Sequence, residues 1–221
     1  LYRGLIECSQ ACHCPLVGGD TNLSQKGWVV SVTVTGYTGR SPKLRSGAKA
    51  GDSLWVTGTF GGAALGWEAW RKKDKSRTTA VFRKKHSRPE PRLLWGQRLG
   101  ENPLVSAMID CSDGLASDLQ HLAEASGVAM ELEVDEVPRL PGFEKAARRL
   151  KANPLDLLLG GGEDYELIFT LAPEGEADMS EWLQSYDICA KRVGRVRAGK
   201  GVRFLQSGQE LKKTYRGFSH F

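Results

Sequence analysis

Met108-Ile109-Asp110-Cys111-Ser112-Asp113-Gly114-Leu115 places two carboxylates three residues apart, where an apolar strand runs out and a helix begins. Upstream, Val105 to Ile109 is an apolar run of strand length, and downstream Leu115, Leu119 and Leu122 recur at helical spacing. The acids therefore fall on a strand-to-helix turn. Free backbone N–H groups at a helix start favour anions, and carboxylates hold hard cations, so this turn suits a magnesium ion that carries a polyphosphate. The same residues also suit a plain helix cap supplied by Ser112 or Asp113.

Two further turns combine glycine with acids. Leu16-Val17-Gly18-Gly19-Asp20-Thr21 reads as a short strand entering a glycine turn, and Leu157-Leu158-Leu159-Gly160-Gly161-Gly162-Glu163-Asp164 aims two acids ahead of a strand over Leu167 to Leu171. Convergent carboxylates repel, by about 4 kcal/mol for unit charges about 4 Å apart at an effective dielectric near 20, so a shared pocket of this kind needs cations. Oxygen donors without His or Cys favour magnesium over zinc. The expectation is that all three turns meet in space. Cys8, Cys12 and Cys14 with His13 offer thiolate and imidazole ligands elsewhere, but their spacing lacks a second ligand pair and reads poorly as a zinc site.

Around these turns the pattern predicts a helix ending near Cys12 and a strand over Trp28 to Thr35. A loop with Gly39, Pro42, Gly47 and Gly51 is the candidate domain boundary. Beyond it come a strand over Ser53 to Thr57, a small-residue helix opened by Gly58 to Gly62, and a short helix over Arg92 to Leu99 after Pro89 and Pro91. Further along, a strand is expected over Ala129 to Val134, helices over Gly142 to Lys151 and Glu181 to Tyr186, and strands over Ala190 to Val193 and Val202 to Leu205.

Composition narrows the class. A chain of 221 residues with 40% hydrophobic and 26% charged residues reads as a globular enzyme with a sizeable core, and the five cysteines are too irregular for a disulfide framework. No apolar run of about 18 residues occurs, so no membrane partner is expected and the expected localisation is cytoplasmic. The net charge of +5 is concentrated in residues 71 to 88, which carry nine Lys and Arg against Asp74 alone, so the remainder is net acidic. That segment lacks the interleaved aromatics of a base-stacking surface and reads as a solvated helical face or loop, with a nucleic-acid-binding module as the alternative.

An ordered set of motifs resembles the thiamine-monophosphate kinase family: Val17-Gly18-Gly19-Asp20-Thr21, Arg45-Ser46-Gly47-Ala48-Lys49-Ala50-Gly51-Asp52, Val56-Thr57-Gly58-Thr59, Ile109 to Leu115, Gly161-Gly162-Glu163-Asp164-Tyr165-Glu166-Leu167 and the ending Gly217 to Phe221. The family shares a superfamily with aminoimidazole ribonucleotide synthetase, selenophosphate synthetase and a hydrogenase maturation factor. The resemblance implies an α+β, aminoimidazole ribonucleotide synthetase-like two-domain architecture with most of the N-terminal domain missing. Residues 1–47 would be the remnant of the N-terminal ATP- and metal-binding domain, and residues 48–221 the C-terminal α+β domain.

It further implies ATP-dependent phosphorylation of thiamine monophosphate to thiamine diphosphate with magnesium, by direct in-line transfer, in a protein that is a homodimer when full length. Asp20, Asp110 and Asp113 would hold magnesium. Gly19, Asp20, Arg45 and Ser112 would contact ATP, and Glu163 and Tyr215 would contact thiamine monophosphate. No nucleophile or general base is expected, because the acceptor is itself an anionic phosphate. Another ATP-dependent member of the superfamily with a different acceptor is the second enzyme reading.

Overall fold

The computed structural model describes residues 1–38, 42–215 and 217. It divides into two compact units, Leu1–Ser41 and Pro42–Phe221. The division falls ahead of the expected 47/48 boundary, because residues between the two positions are tied to the second unit. The Leu44 carbonyl accepts from Met108 N at 3.2 Å and the Arg45 carbonyl from Ser126 Oγ at 2.6 Å. A side chain at Gly47 would meet the Ser106 carbonyl.

The first unit contains helix α1, Tyr2–Ala11, which buries no residue. The strands expected over Leu16 to Thr21 and Trp28 to Thr35 are absent: both segments lie outside any ladder, with Val17, Trp28, Val32 and Val34 exposed. Period-2 alternation marks a segment that can pair. A strand forms only when a neighbour takes up its N–H and C=O groups, and among the described residues none does.

The second unit is built on a seven-stranded sheet in the order β2-β4-β1-β5-β3-β6-β7. Its strands are β1 Ser53–Thr57, β2 Val105–Cys111, β3 Ala129–Glu133, β4 Glu166–Leu171, β5 Ala190–Arg197, β6 Gly201–Gln206 and β7 Gln209–Glu210. Every pairing is antiparallel except β3 with β6. The helices are α2 Gly62–Arg71, α3 Ala80–Ser87, α4 Leu93–Glu101, α5 Leu115–Ser126, α6 Phe143–Arg149, α7 Pro154–Leu159 and α8 Glu176–Ser185. Among the described residues, no helix is long and apolar enough to cross a membrane.

Alternation along the strands feeds two cores. Leu54, Val56, Ile109 and Ile168 join the larger one with α2, α5, α6 and α7, whereas Trp55, Phe169 and Leu171 meet Leu99 of α4 and Met179 and Leu183 of α8 in the smaller one. Val105 and Ala107, two residues apart, would share a face in a regular strand. A register shift between them sends Val105 to the smaller core and Ala107 to the larger. From Ala107 onward β2 alternates regularly, so Ile109 and Cys111 point inward and Asp110 outward.

Helix α7 was not expected from the leucine run that precedes the glycines. Its start carries a readable signal, because Asn153 Oδ1 accepts from Leu155 N at 2.9 Å and Pro154 occupies the first turn, where its missing N–H costs nothing. The basic segment is partly turned inward. Phe82 of α3 is buried, Lys72 donates to the Leu150 carbonyl, Arg83 to the Asp74 carbonyl, and Lys85 pairs with Glu166.

Candidate active site

Two turns lie side by side at one end of the sheet. Strand β2 ends at Cys111 and delivers Asp110, Ser112, Asp113 and Gly114 to the start of α5. Helix α7 ends at Leu159, and residues 160–165 lead into β4. The turns are joined by backbone bonds: Glu163 N donates to the Ser112 carbonyl at 2.8 Å and Tyr165 N to the Cys111 carbonyl at 2.9 Å. Glycine makes this approach possible. A Cβ at Gly162 would lie 2.5 Å from the Ser112 carbonyl oxygen, and one at Gly161 would lie 2.2 Å from the Leu157 carbonyl oxygen. The chain tail also reaches here, since a Cβ at Gly217 would come within 2.5 Å of the Asp113 carbonyl oxygen.

The acids on these turns divide into exposed and structural ones. Asp110 is exposed, Asp113 half-buried and Glu163 exposed. Their charges are felt together at Tyr165. Burial raises its hydroxyl pKa, and Glu163, Asp110 and Asp113 raise it further. Glu163 and Tyr165 both adopt left-handed backbone, with φ of 67° and 50°, a conformation most side chains avoid and one that re-aims the chain between α7 and β4.

Asp164 and Glu166 face inward. Asp164 is buried and accepts from Gly61 N at 2.6 Å and Ala63 N at 3.1 Å, capping α2 from far along the chain. Its pKa is pushed up to about 6 by burial, against the opposing pull of Lys85 and these two N–H donors. Glu166 receives Arg92 in two hydrogen bonds of 2.8 Å, Lys85 at 3.0 Å and Thr57 Oγ1 at 3.0 Å. Burial opposes its ionisation, but Arg92 and Lys85 outweigh burial and hold its carboxyl below the usual range.

Asp118 is a residue that pattern reading missed. One turn into α5, it is buried, and its Oδ2 accepts from Asp113 N and Gly114 N, both at 3.1 Å. Burial raises its pKa, while the Asp113 N–H lowers it. Asp113, Asp118 and His121 each present a ligand atom within 4.8 Å of the others. An acid in the first turn of a helix was the available signal, though it announces a helix start rather than a site. Asp110 adds an exposed carboxylate beside the half-buried Asp113, and carboxylate oxygens suit a hard divalent ion.

Asp20 lies in the first unit, where its carboxylate accepts from Thr21 N and Asn22 Nδ2 at 2.8 Å each; Gly19 precedes it. Arg45 is exposed, and its carbonyl is held by Ser126 at the far end of α5. The preceding Leu44 carbonyl accepts from Met108 N at 3.2 Å, on the strand that leads to Asp110 and Ser112. Tyr215 packs against the larger core, its ring edge-on to Phe204 at 5.7 Å and beneath Lys213 at 5.3 Å. Of the expected family ending, Gly217 alone is among the described residues.

Residues 49–206 match the family model for the C-terminal domain of AIR synthase related proteins. The thiamine-monophosphate kinase of Mycobacterium tuberculosis is 41% identical over 223 residues, which cover 100% of this chain and 62% of that protein. The chain belongs to the thiamine-monophosphate kinase family. The crystal structure of thiamine-monophosphate kinase from Stenotrophomonas maltophilia superposes with a TM-score of 0.66 at 32% identity, covering 76% of this chain and 54% of that one. AaThiL complexed with AMPPCP and TMP superposes equally well, with a TM-score of 0.66 at 30% identity over 80% of this chain and 53% of that one. The aminoimidazole ribonucleotide synthetase-like α+β fold is therefore that of this thiamine-monophosphate kinase family member. The chain spans about 63% of the length of the curated relatives it matches.

Proposed function

We propose that the protein carrying this chain phosphorylates thiamine monophosphate to thiamine diphosphate at the expense of ATP, by direct in-line transfer, and that residues 48–221 are its C-terminal domain while residues 1–47 belong to its N-terminal ATP- and metal-binding domain. The observation that carries this reading is the Glu163 N–H to Ser112 carbonyl bond of 2.8 Å, which locks the turn assigned to the substrate against the turn assigned to the nucleotide. AaThiL, a family member of the same fold, is complexed with AMPPCP and TMP.

Asp110 and Asp113 would hold magnesium, and Asp20 is a magnesium ligand by family resemblance. The ion, when bound, would neutralise and orient phosphate oxygens. Ser112 would contact ATP, as would Gly19, Asp20 and Arg45 by family resemblance. Glu163 would meet the cationic end of thiamine monophosphate, and Tyr215 an aromatic face of it.

The protein side of the reaction is positioning. The acceptor phosphate is already anionic, so transfer needs alignment and charge balance rather than proton abstraction. Asp164, with its raised pKa, is committed to the start of α2, and the Cys111 thiol is buried and pushed up by desolvation. Neither is presented to a substrate. A cytoplasmic homodimer completes the proposal, and the exposed alternation of Trp28, Val30, Val32 and Val34 supports a pairing partner for that segment.

The test replaces Asp110 and Asp113 by Asn, one at a time, in the full-length protein. Each variant should lose ATP turnover with thiamine monophosphate by at least about a hundredfold, with an unchanged melting profile. Normal turnover in both would overturn the metal assignment. If thiamine monophosphate fails to stimulate ATP consumption in the parent protein, the acceptor is a different compound.

A further inference from the structure

His86, on α3, stands outside every assignment made above. Its ring packs against two tryptophans of α2, 5.5 Å from Trp67 in a tilted arrangement and 5.6 Å from Trp70 edge-on. The two helices cross so closely that a Cβ at Gly66 would lie 2.1 Å from the Phe82 carbonyl oxygen and 2.9 Å from His86 Cβ. The imidazole is thereby clamped, with 13% of its side chain exposed.

His86 Nδ1 sits 2.9 Å from Glu163 Oε2. The separation is that of a hydrogen bond, but the groups are not aligned for one. Among the described residues, Nδ1 is the buried side-chain polar atom left without an aligned partner. Buried polar atoms are almost always satisfied, and contacts around reacting groups commonly align only when a ligand is in place. Glu163 matches this pattern: its main chain is pinned to Ser112, while its carboxylate is exposed and faces His86.

We propose that His86 is a positioning residue. Clamped by Trp67 and Trp70, it orients the Glu163 carboxylate toward the positively charged ring of the substrate and so sets affinity for that ring rather than for the nucleotide. The inference rests on the thiamine monophosphate kinase reading. Nothing in the composition singles out His86, one of four histidines, since its partner lies on a turn far along the chain.

The experiment uses the full-length protein with His86→Leu, which removes the N–H, His86→Asn, which keeps an N–H near the place of Nδ1, Glu163→Gln, and the Leu/Gln double variant. His86→Leu should raise KM for thiamine monophosphate at least fivefold and leave KM for ATP within twofold. His86→Asn should recover most of that loss, and the double variant should be no worse than Glu163→Gln alone. An unchanged KM for thiamine monophosphate in His86→Leu, or an Asn variant as impaired as the Leu variant, overturns the proposal. A parent protein that turns over no thiamine monophosphate refutes the kinase reading instead. The parent, His86→Leu, Glu163→Gln and the double variant compared by urea unfolding then judge the pair alone, and additive effects would overturn the His86–Glu163 contact as well.

Discussion

Asp164→Asn tests whether a buried carboxylate rather than a hydrogen-bonding amide is built into the start of α2. Asp164 is buried, with a pKa pushed up to about 6 from an ordinary 3.8. A folded-state pKa above the unfolded one means that the native protein binds the proton more tightly. The Asp164 contribution to stability is therefore greatest at low pH and declines as pH rises from about 4 through about 6. At 1.36 kcal/mol per pKa unit the full swing is about 3 kcal/mol, of which about 2 kcal/mol develops between pH 7.5 and 4.5.

Asn does not titrate. It also offers one acceptor oxygen to the two N–H groups of Gly61 and Ala63, leaving one of them facing an amide NH2, at a cost of about 1–3 kcal/mol. At pH 7.5 this loss and the relief from burying a charge should nearly cancel, so the variant should unfold within about 1 kcal/mol of the parent. At pH 4.5 the parent has gained its proton, and the variant should fall behind by about 2 kcal/mol more. Urea unfolding of both proteins at the two pH values measures the difference, in which most other titrating groups cancel. A gap that is the same at both pH values would refute the reasoning.

Glu166→Gln should destabilise the protein by about 3–5 kcal/mol at neutral pH, because Lys85 and Arg92 would keep their charges in a buried place without the carboxylate that receives them. Since the Glu166 pKa is held down, the parent should lose this advantage as pH falls below the ordinary value of 4.5, and urea midpoints across that range would show it; no loss at neutral pH would contradict the network. Cys111 should resist alkylation in the native protein, being buried with its thiol pKa raised by desolvation, whereas Cys8, Cys14 and Cys189 are exposed and should label readily. Peptide mapping after timed iodoacetamide treatment decides it, and native labelling of Cys111 would mean that β2 opens.

Much of the second unit was legible in local pattern. The Val105 to Ile109 run became β2, the leucine spacing after Gly114 became α5, and the predicted strand positions near 53, 129, 167, 190 and 202 each hold a strand. These elements announce themselves because burying one face imposes a period of 2 or 3.6 on the residues that do it. Helix α7 was missed because a short leucine run has no period, although Asn153-Pro154 signalled its start. The same rule failed at Trp28 to Thr35, where alternation is present and no paired strand forms among the described residues.

At the site, Asp110, Asp113 and Glu163 were marked by their glycine-flanked turns, but Asp118, Glu166 and His86 were not. What sets those three apart is a partner: backbone N–H groups five and four residues back, Arg92 and Lys85, and Glu163, respectively. Residue order by itself determined the element types, the acidic turns and, through the ordered motifs, the family. Which acid faces solvent and which is spent on capping α2 or receiving Lys85 and Arg92 was decided by the tertiary structure alone. Glu163, Asp164 and Glu166, three acids within four residues, are chemically alike in sequence, and burial differs among them only after β4 has paired with β2 and β1 and α2 has packed against the glycine turn.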